Sequence, residues 1–181
     1  MQLTGGILLI AEPYLPDPNF FRTVVLLVEH GAAGSLGFIL NRPASVKLKE
    51  VTDYFGEVDY RLFRGGPVGL NTLHVLHSIE TLPESQKVAN GIFWSLNLRS
   101  LRALLATRNV PESFIRFFAG YAGWAPGQLE SEIAQKAWIL TTARCEYVFT
   151  TEPEILWQRV LIDMGGKYAS LASLPEDPRV N

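Results

Sequence analysis

The sequence predicts a single α+β or α/β domain built on a mixed sheet, and three observations carry that expectation. The chain has 181 residues, a length that suits one core and lets that core bury about 70% of the surface exposed when unfolded. Short apolar, β-branched runs bounded by Gly, Pro and Asn recur along it and read as strands. Between them lie segments whose apolar residues recur at helical spacing, with no internal repeat and no low-complexity linker. With 48% hydrophobic and 19% charged residues, the composition is that of a globular chain.

GGILLIA (Gly5 to Ala11) is an apolar run after a glycine pair and reads as a buried strand. Pro13, Pro16 and Pro18 forbid a regular ladder through EPYLPDPNF, where Asp17 suits the cap of a turn. TVVLLVEH (Thr23 to His30) and SLGFILNRP (Ser35 to Pro43) read as a central hairpin turning at Gly31 to Gly34. VKLKEVTDYFG sets Leu48, Val51, Tyr54 and Phe55 at helical spacing, with Gly56 as a stop. RLFRGGPVG is a brief strand broken at Gly65, Gly66 and Pro67, NTLHVLHS is another strand, and Asn90 with Gly91 makes a hairpin-type turn. Asn97 caps an amphipathic helix with Leu98, Leu101, Leu104 and Leu105 inward.

FIRFFAG leads as a strand into GYAGWAPGQLE, which reads as a glycine- and aromatic-rich loop. PGQLESEIAQ then reads as a helix with Pro126 in its first turn. WILTTA and EYVFTT are expected strands, with Cys145, between Arg144 and Glu146, at the start of the second. TEPEILWQRVLIDMGG is an expected helix with Thr151 as cap, Glu154 three residues on, a buried side of Trp157, Val160, Leu161 and Met164, and Gly165 as stop. From about residue 172 the chain is expected to trail as a loose tail.

Sixteen Lys and Arg against eighteen Asp and Glu give a net charge of -2 and a pI near 5.9, which supplies no general attraction for a phosphate backbone. Nucleic-acid binding would need a local patch, for which Arg99, Arg102, Arg108 and Arg116 are the candidates; the preferred reading of them is a solvated helix face. A helix, a proline and a strand follow one another there, rather than two helices across a short turn, so nucleic acid is not supported. The single cysteine excludes an internal disulfide. MQLTGGILLIAEP carries no basic leader, and Ile7 to Ala11 is too short to cross a bilayer. The expectation is a cytoplasmic chain without a membrane segment.

If Gly31 to Gly34 is the turn, Thr23 falls roughly opposite Arg42, and Asn19, Arg22, Asn41 and Arg42 share one neighbourhood. Guanidinium forks and amides suit an anionic or carbonyl-bearing ligand, unless the amides close turns and the arginines pair with Asp17 or Glu12. GGPVG matches no phosphate-binding fingerprint and reads as a tight turn. His74 and His77 form HxxH, yet in a strand they point to opposite faces, so each reads as a satisfied histidine and no metal is expected. AGSLG, holding Ser35, lacks the first glycine of the nucleophile elbow. Glu130 is the one candidate base, although a carboxylate in the first turn also suits the helix dipole. Tyr121 and Trp124 carry polar tips on apolar bodies, as binding sites need; simple burial of both rings is the rival reading.

Taken together, GGILLIAEPYLPDPNFFRTVVLLVEH, GSLGFILNRP, FRGGPV, the VLH ending at His77, and GYAGWAPGQLESEI followed by Trp138 give the chain its resemblance to the AlgH/YqgE family of bacterial proteins, over nearly its whole length and in order. The resemblance implies a compact single-domain α+β fold in which a bent, partly barrel-like sheet is surrounded by helices. It also implies one cleft formed by Asn19, Arg22, Asn41, Arg42, Gly66, Pro67, Gly120, Tyr121, Trp124, Gln128 and Glu130. It supplies no reaction: the family's members are largely uncharacterised, and the transcriptional-regulator label attached to some rests on no recognisable DNA-binding motif. The functional expectation is a domain that binds an unidentified small molecule or protein partner without a cofactor. Its rivals are a regulator with a contiguous basic face, and a hydrolase using Glu130 as base with Asn41 or Arg42 steadying developing charge.

Overall fold

In the computed structural model, which describes residues 1–177, ten strands and six helices form one mixed α+β domain. The strands are β1 (Ile7–Ala11), β2 (Val24–Gly31), β3 (Gly34–Ile39), β4 (Pro43–Lys47), β5 (Arg61–Arg64), β6 (Val68–His77), β7 (Ser85–Ala89), β8 (Ile92–Ser95), β9 (Ile115–Trp124) and β10 (Trp138–Thr142). The helices are α1 (Leu48–Val51), α2 (Leu98–Thr107), α3 (Gln128–Ala134), α4 (Cys145–Phe149), α5 (Pro153–Met164) and α6 (Gly166–Leu171). The sheet runs β10-β1-β2-β3-β9-β6-β8-β7, with β4 and β5 branching from β9.

β9 is the pivot. Its early residues pair with β6 along one edge and, in parallel, with β5 along the other, while Ala122 to Trp124 pair with β3. The strand bends at Gly120, whose φ is +69°; a Cβ there would lie 2.6 Å from the Val68 carbonyl oxygen. Only glycine takes that backbone at that approach, and the bend helps to curl the sheet into a half-barrel.

Alternation explains why β1 and the first five residues of β2 are apolar without a break. Leu8 and Ile10 join Leu26, Phe38, Phe118, Trp157 and Val160 in a core beneath α4 and α5. Ile7, Leu9 and Ala11 face the other way, into a core with Val25, Leu27, Trp124, Leu129 and Trp138. Strands buried on both faces read as continuous apolar runs. A third core packs Leu101 and Leu105 of α2 on Leu62, Val75, Ile115 and Phe117.

The structure corrects several local expectations. GYAGW is not a loop but the end of β9, because pairing with β3 and β6 outweighs its glycine content. EYVFTT is not a strand: α4 buries Tyr147, Val148 and Phe149 on one turn, a short apolar run whose period alone cannot decide between the two. The expected helix over Leu48 to Phe55 stops at Val51, which is exposed, where the Thr52 hydroxyl accepts from the Tyr54 N–H and turns the chain. Thr151 does not cap α5; its hydroxyl donates to the Glu146 carbonyl, and Pro153 opens the helix. The Asn97 cap of α2, the turn at Gly91 and the stop at Gly165 stand as expected.

Beyond α6, Ala172 is buried and the carbonyls of Leu174 and Pro175 accept from Arg22; residues 178–181 of the expected tail lie outside the described residues. Among the described residues no helix is long and apolar enough to cross a membrane.

Candidate binding site

The open end of the β2–β3 hairpin gathers Arg22, Asn41 and Arg42, although a register shift between Leu27 and Glu29 pairs Val25 with Ile39, one residue off the uninterrupted pairing. Asn41 is buried and bridges the strands: its Oδ1 accepts from the Val24 N–H at 2.9 Å, and its Nδ2 donates to the Arg22 carbonyl at 2.9 Å. Arg42 donates to the carbonyls of Phe21 and Asn41, and burial lowers its pKa. Arg22, with φ +50°, donates to Leu174 and Pro175 while its guanidinium lies 4.7 Å from the Trp157 ring centroid. These arginines hold backbone carbonyls rather than Asp17 or Glu12. With Phe21, Pro43 and Glu154 they line a cavity of about 440 Å³. Asn19 is exposed, and its N–H donates to Asp17.

The two glycine motifs meet backbone to backbone. A Cβ on Gly66 would lie 2.1 Å from the Tyr121 carbonyl group, so the bare glycine is what lets GGP pass beneath β9; Pro67 is exposed beside it. Tyr121 and Trp124, three apart in a strand, point to opposite faces. Tyr121 packs on the core holding Phe38 and Phe118, and Trp124 joins the one holding Trp138.

Trp124 walls a different cavity, of about 640 Å³, between α3 and the loop carrying Glu12, Leu15, Asp17 and Phe20. Phe20 stacks near Trp124 at 6.1 Å between centroids and meets Trp138 edge-on at 5.5 Å. Glu132 organises these walls. One of its oxygens, Oε2, accepts the indole N–H of Trp124 at 2.9 Å and that of Trp138 at 2.8 Å, while Oε1 accepts from the Gln128 amide at 2.9 Å. Gln128 Oε1 accepts in turn from the Ala125 N–H. Glu132 escaped the sequence reading, though a signal existed: it lies four residues after Gln128, hence on the same helix face, whereas Glu130 at two residues lies on another.

Glu130 instead approaches His30, with Oε1 3.6 Å from Nε2, and His30 Nδ1 is 2.8 Å from the Ser35 hydroxyl. This group sits at the turn end of the hairpin. Four residues of β3, about 13 Å of rise, separate Ser35 from Ile39, and Asn41 and Arg42 lie farther on. The other histidines are also bonded: His74 Nε2 to the Thr72 hydroxyl, and His77 to the Ser85 hydroxyl and the Ile79 N–H. Burial lowers the pKa of His74 and pushes that of His77 down to about 4.

The arginine patch is dispersed. Arg116 is buried over the Phe63 ring, its centroid 4.3 Å away, and burial pushes its pKa down to about 10. Arg102 covers the Tyr54 ring. Arg108, nine residues from Arg99, falls half a helical rotation away.

Comparison with known proteins agrees with this architecture. A family profile described as AlgH-like, DUF179, matches residues 8–169. A UPF0301 protein of Chlorobaculum tepidum is 43% identical over 180 residues, covering 99% of this chain and 96% of its own. A UPF0301 protein of Cytophaga hutchinsonii is 38% identical, covering 99% and 100%. The solution structure of the AlgH protein of Pseudomonas aeruginosa superposes with a TM-score of 0.74 at 28% identity, covering 97% of this chain and 98% of that one. A crystal structure from Corynebacterium diphtheriae, at 21% identity and covering 96% and 94%, shares the fold with a TM-score of 0.80. By profile, sequence and fold together, the chain belongs to the AlgH-like, UPF0301 family.

Proposed function

We propose that the chain is a ligand-binding domain whose site is the aromatic-walled cavity between α3 and the loop carrying Phe20. One arrangement carries this reading: two indole N–H groups and an amide converge on the Glu132 carboxylate, so the walls are set before anything enters, and little ordering remains to oppose binding. A volume of about 640 Å³ suits a small molecule. A larger cavity of about 720 Å³ beside α2 has less support, because the side-chain bonds of Asn97 and Thr72 on its walls are local, to the helix start and to the Gly69 carbonyl, and do not tie one wall to another.

The two rivals also have less support. The hydrolase reading needs Glu130 beside Asn41 or Arg42, from which the length of β3 divides it. The DNA reading needs a contiguous basic face, and Arg116 and Arg102 are turned onto aromatic rings.

A thermal-shift screen of the purified chain against nucleotides, metabolites and short duplex DNA tests the proposal, since a ligand of the folded state raises the melting temperature, by about 5 °C or more near saturation. The expected result is a small-molecule hit that disappears in Phe20→Ala and in Gln128→Ala, with far-UV circular dichroism retained. A hit that survives both substitutions contradicts the reading, as does a response to duplex DNA alone that fades with salt. Turnover of a hit, abolished by Glu130→Gln, would favour the hydrolase instead.

A further inference from the structure

The same cavity is uneven in charge. Three carboxylates, Glu12, Asp17 and Glu132, line it against one ammonium, Lys136, which is exposed. Glu12 accepts from the Tyr14 N–H through Oε2 at 3.0 Å, and Asp17 from the Asn19 N–H through Oδ1 at 2.8 Å. Glu12 Oε1 and Asp17 Oδ2 have no hydrogen-bond partner among the described residues. Phe20, half-buried in the same wall, offers a ring whose faces are the negative side of its quadrupole, whereas the indole N–H edges of Trp124 and Trp138 are taken up by Glu132. A cation gains from the excess of carboxylates, and an anion is repelled by it. Leu15 and Pro16 complete an apolar surface against which carbon substituents lose water favourably.

We propose that this cavity takes a small organic cation, a quaternary ammonium or guanidinium group carried on a few apolar carbons. The proposal rests on the reading of the cavity as the binding site and adds the charge of its occupant.

Four probes test it through the tryptophan fluorescence of the full chain: choline, agmatine, the uncharged choline isostere 3,3-dimethyl-1-butanol, and 3,3-dimethylbutyrate. Choline or agmatine is expected to bind at least about tenfold more tightly than the isostere, with that margin shrinking as salt rises. The double substitution Glu12→Gln with Asp17→Asn should remove the margin and leave the isostere's affinity unchanged; asparagine closes a turn as aspartate does, so the fold is kept. Equal or tighter binding of the isostere or the carboxylate overturns the proposal, and so does a margin that survives the double substitution. A neutral or anionic probe lost in Phe20→Ala would leave the cavity as the site and remove only its charge preference. Failure of every probe overturns the cation, and the thermal-shift screen then decides on the cavity itself.

Discussion

His77 has no exposed surface, and its two ring nitrogens are both bonded: Nδ1 accepts from the Ile79 N–H, which leaves Nε2–H to donate to Ser85. The neutral ring is thus the form the fold accepts, and burial moves its pKa from 6.5 to about 4. The unfolded chain takes up a proton below pH 6.5 while the folded chain does not. Stability from this group is therefore complete above pH 6.5 and falls by about 3 kcal/mol as pH drops through 4. An NMR titration should find His77 neutral to about pH 4; a midpoint near 6.5 would refute the account. At this scale the sequence was legible where one residue answers to one neighbour, as with the satisfied histidines, and less so where several side chains converge. The helix dipole drew notice to Glu130, but which carboxylate meets Trp124 and Trp138 depends on a face of α3 and on Trp138 arriving from another strand.

At the scale of elements, most strands were legible because β-branched runs buried on both faces look alike in any such sheet. GYAGW was not, since its extended form comes from partners far away in sequence. Gly66 read as a turn residue and Gly120 as a loop residue, and the resemblance put both in a cleft; their purpose is the close crossing of two backbones. Gly66→Ala should cost more than about 3 kcal/mol in urea unfolding, because the new methyl meets a backbone carbonyl that cannot yield. Gly56, with φ +75° but nothing within 4 Å of the added Cβ, should lose only about 1–2 kcal/mol as alanine, the penalty of the left-handed backbone. Equal losses at the two positions would show that the backbone beside Gly66 yields to the methyl after all.

For the whole molecule, β9 ties three cores together: Phe117 enters one, Phe118 a second, and Ala122 with Trp124 the third. No core can come apart without disturbing the strand the others share, so unfolding should be a single cooperative step. Tryptophan fluorescence, which reports Trp94 and Trp157 on one side of the sheet and Trp124 and Trp138 on the other, should follow the same urea curve as far-UV circular dichroism. Separated midpoints would mean that the cores are independent. The curl around β9 has a different consequence at the margins of the sheet. Among the described residues β10 pairs only with β1, β7 only with β8 and β4 only with β5, so the half-barrel keeps three open edges. Each is five residues long, and β7 presents exposed Lys87 beside an irregularity in its register. A neighbouring copy adding a strand there would gain few bonds and would have to strip water from a charge, so the unclosed sheet is protected from edge-to-edge aggregation by the shortness and chemistry of its margins.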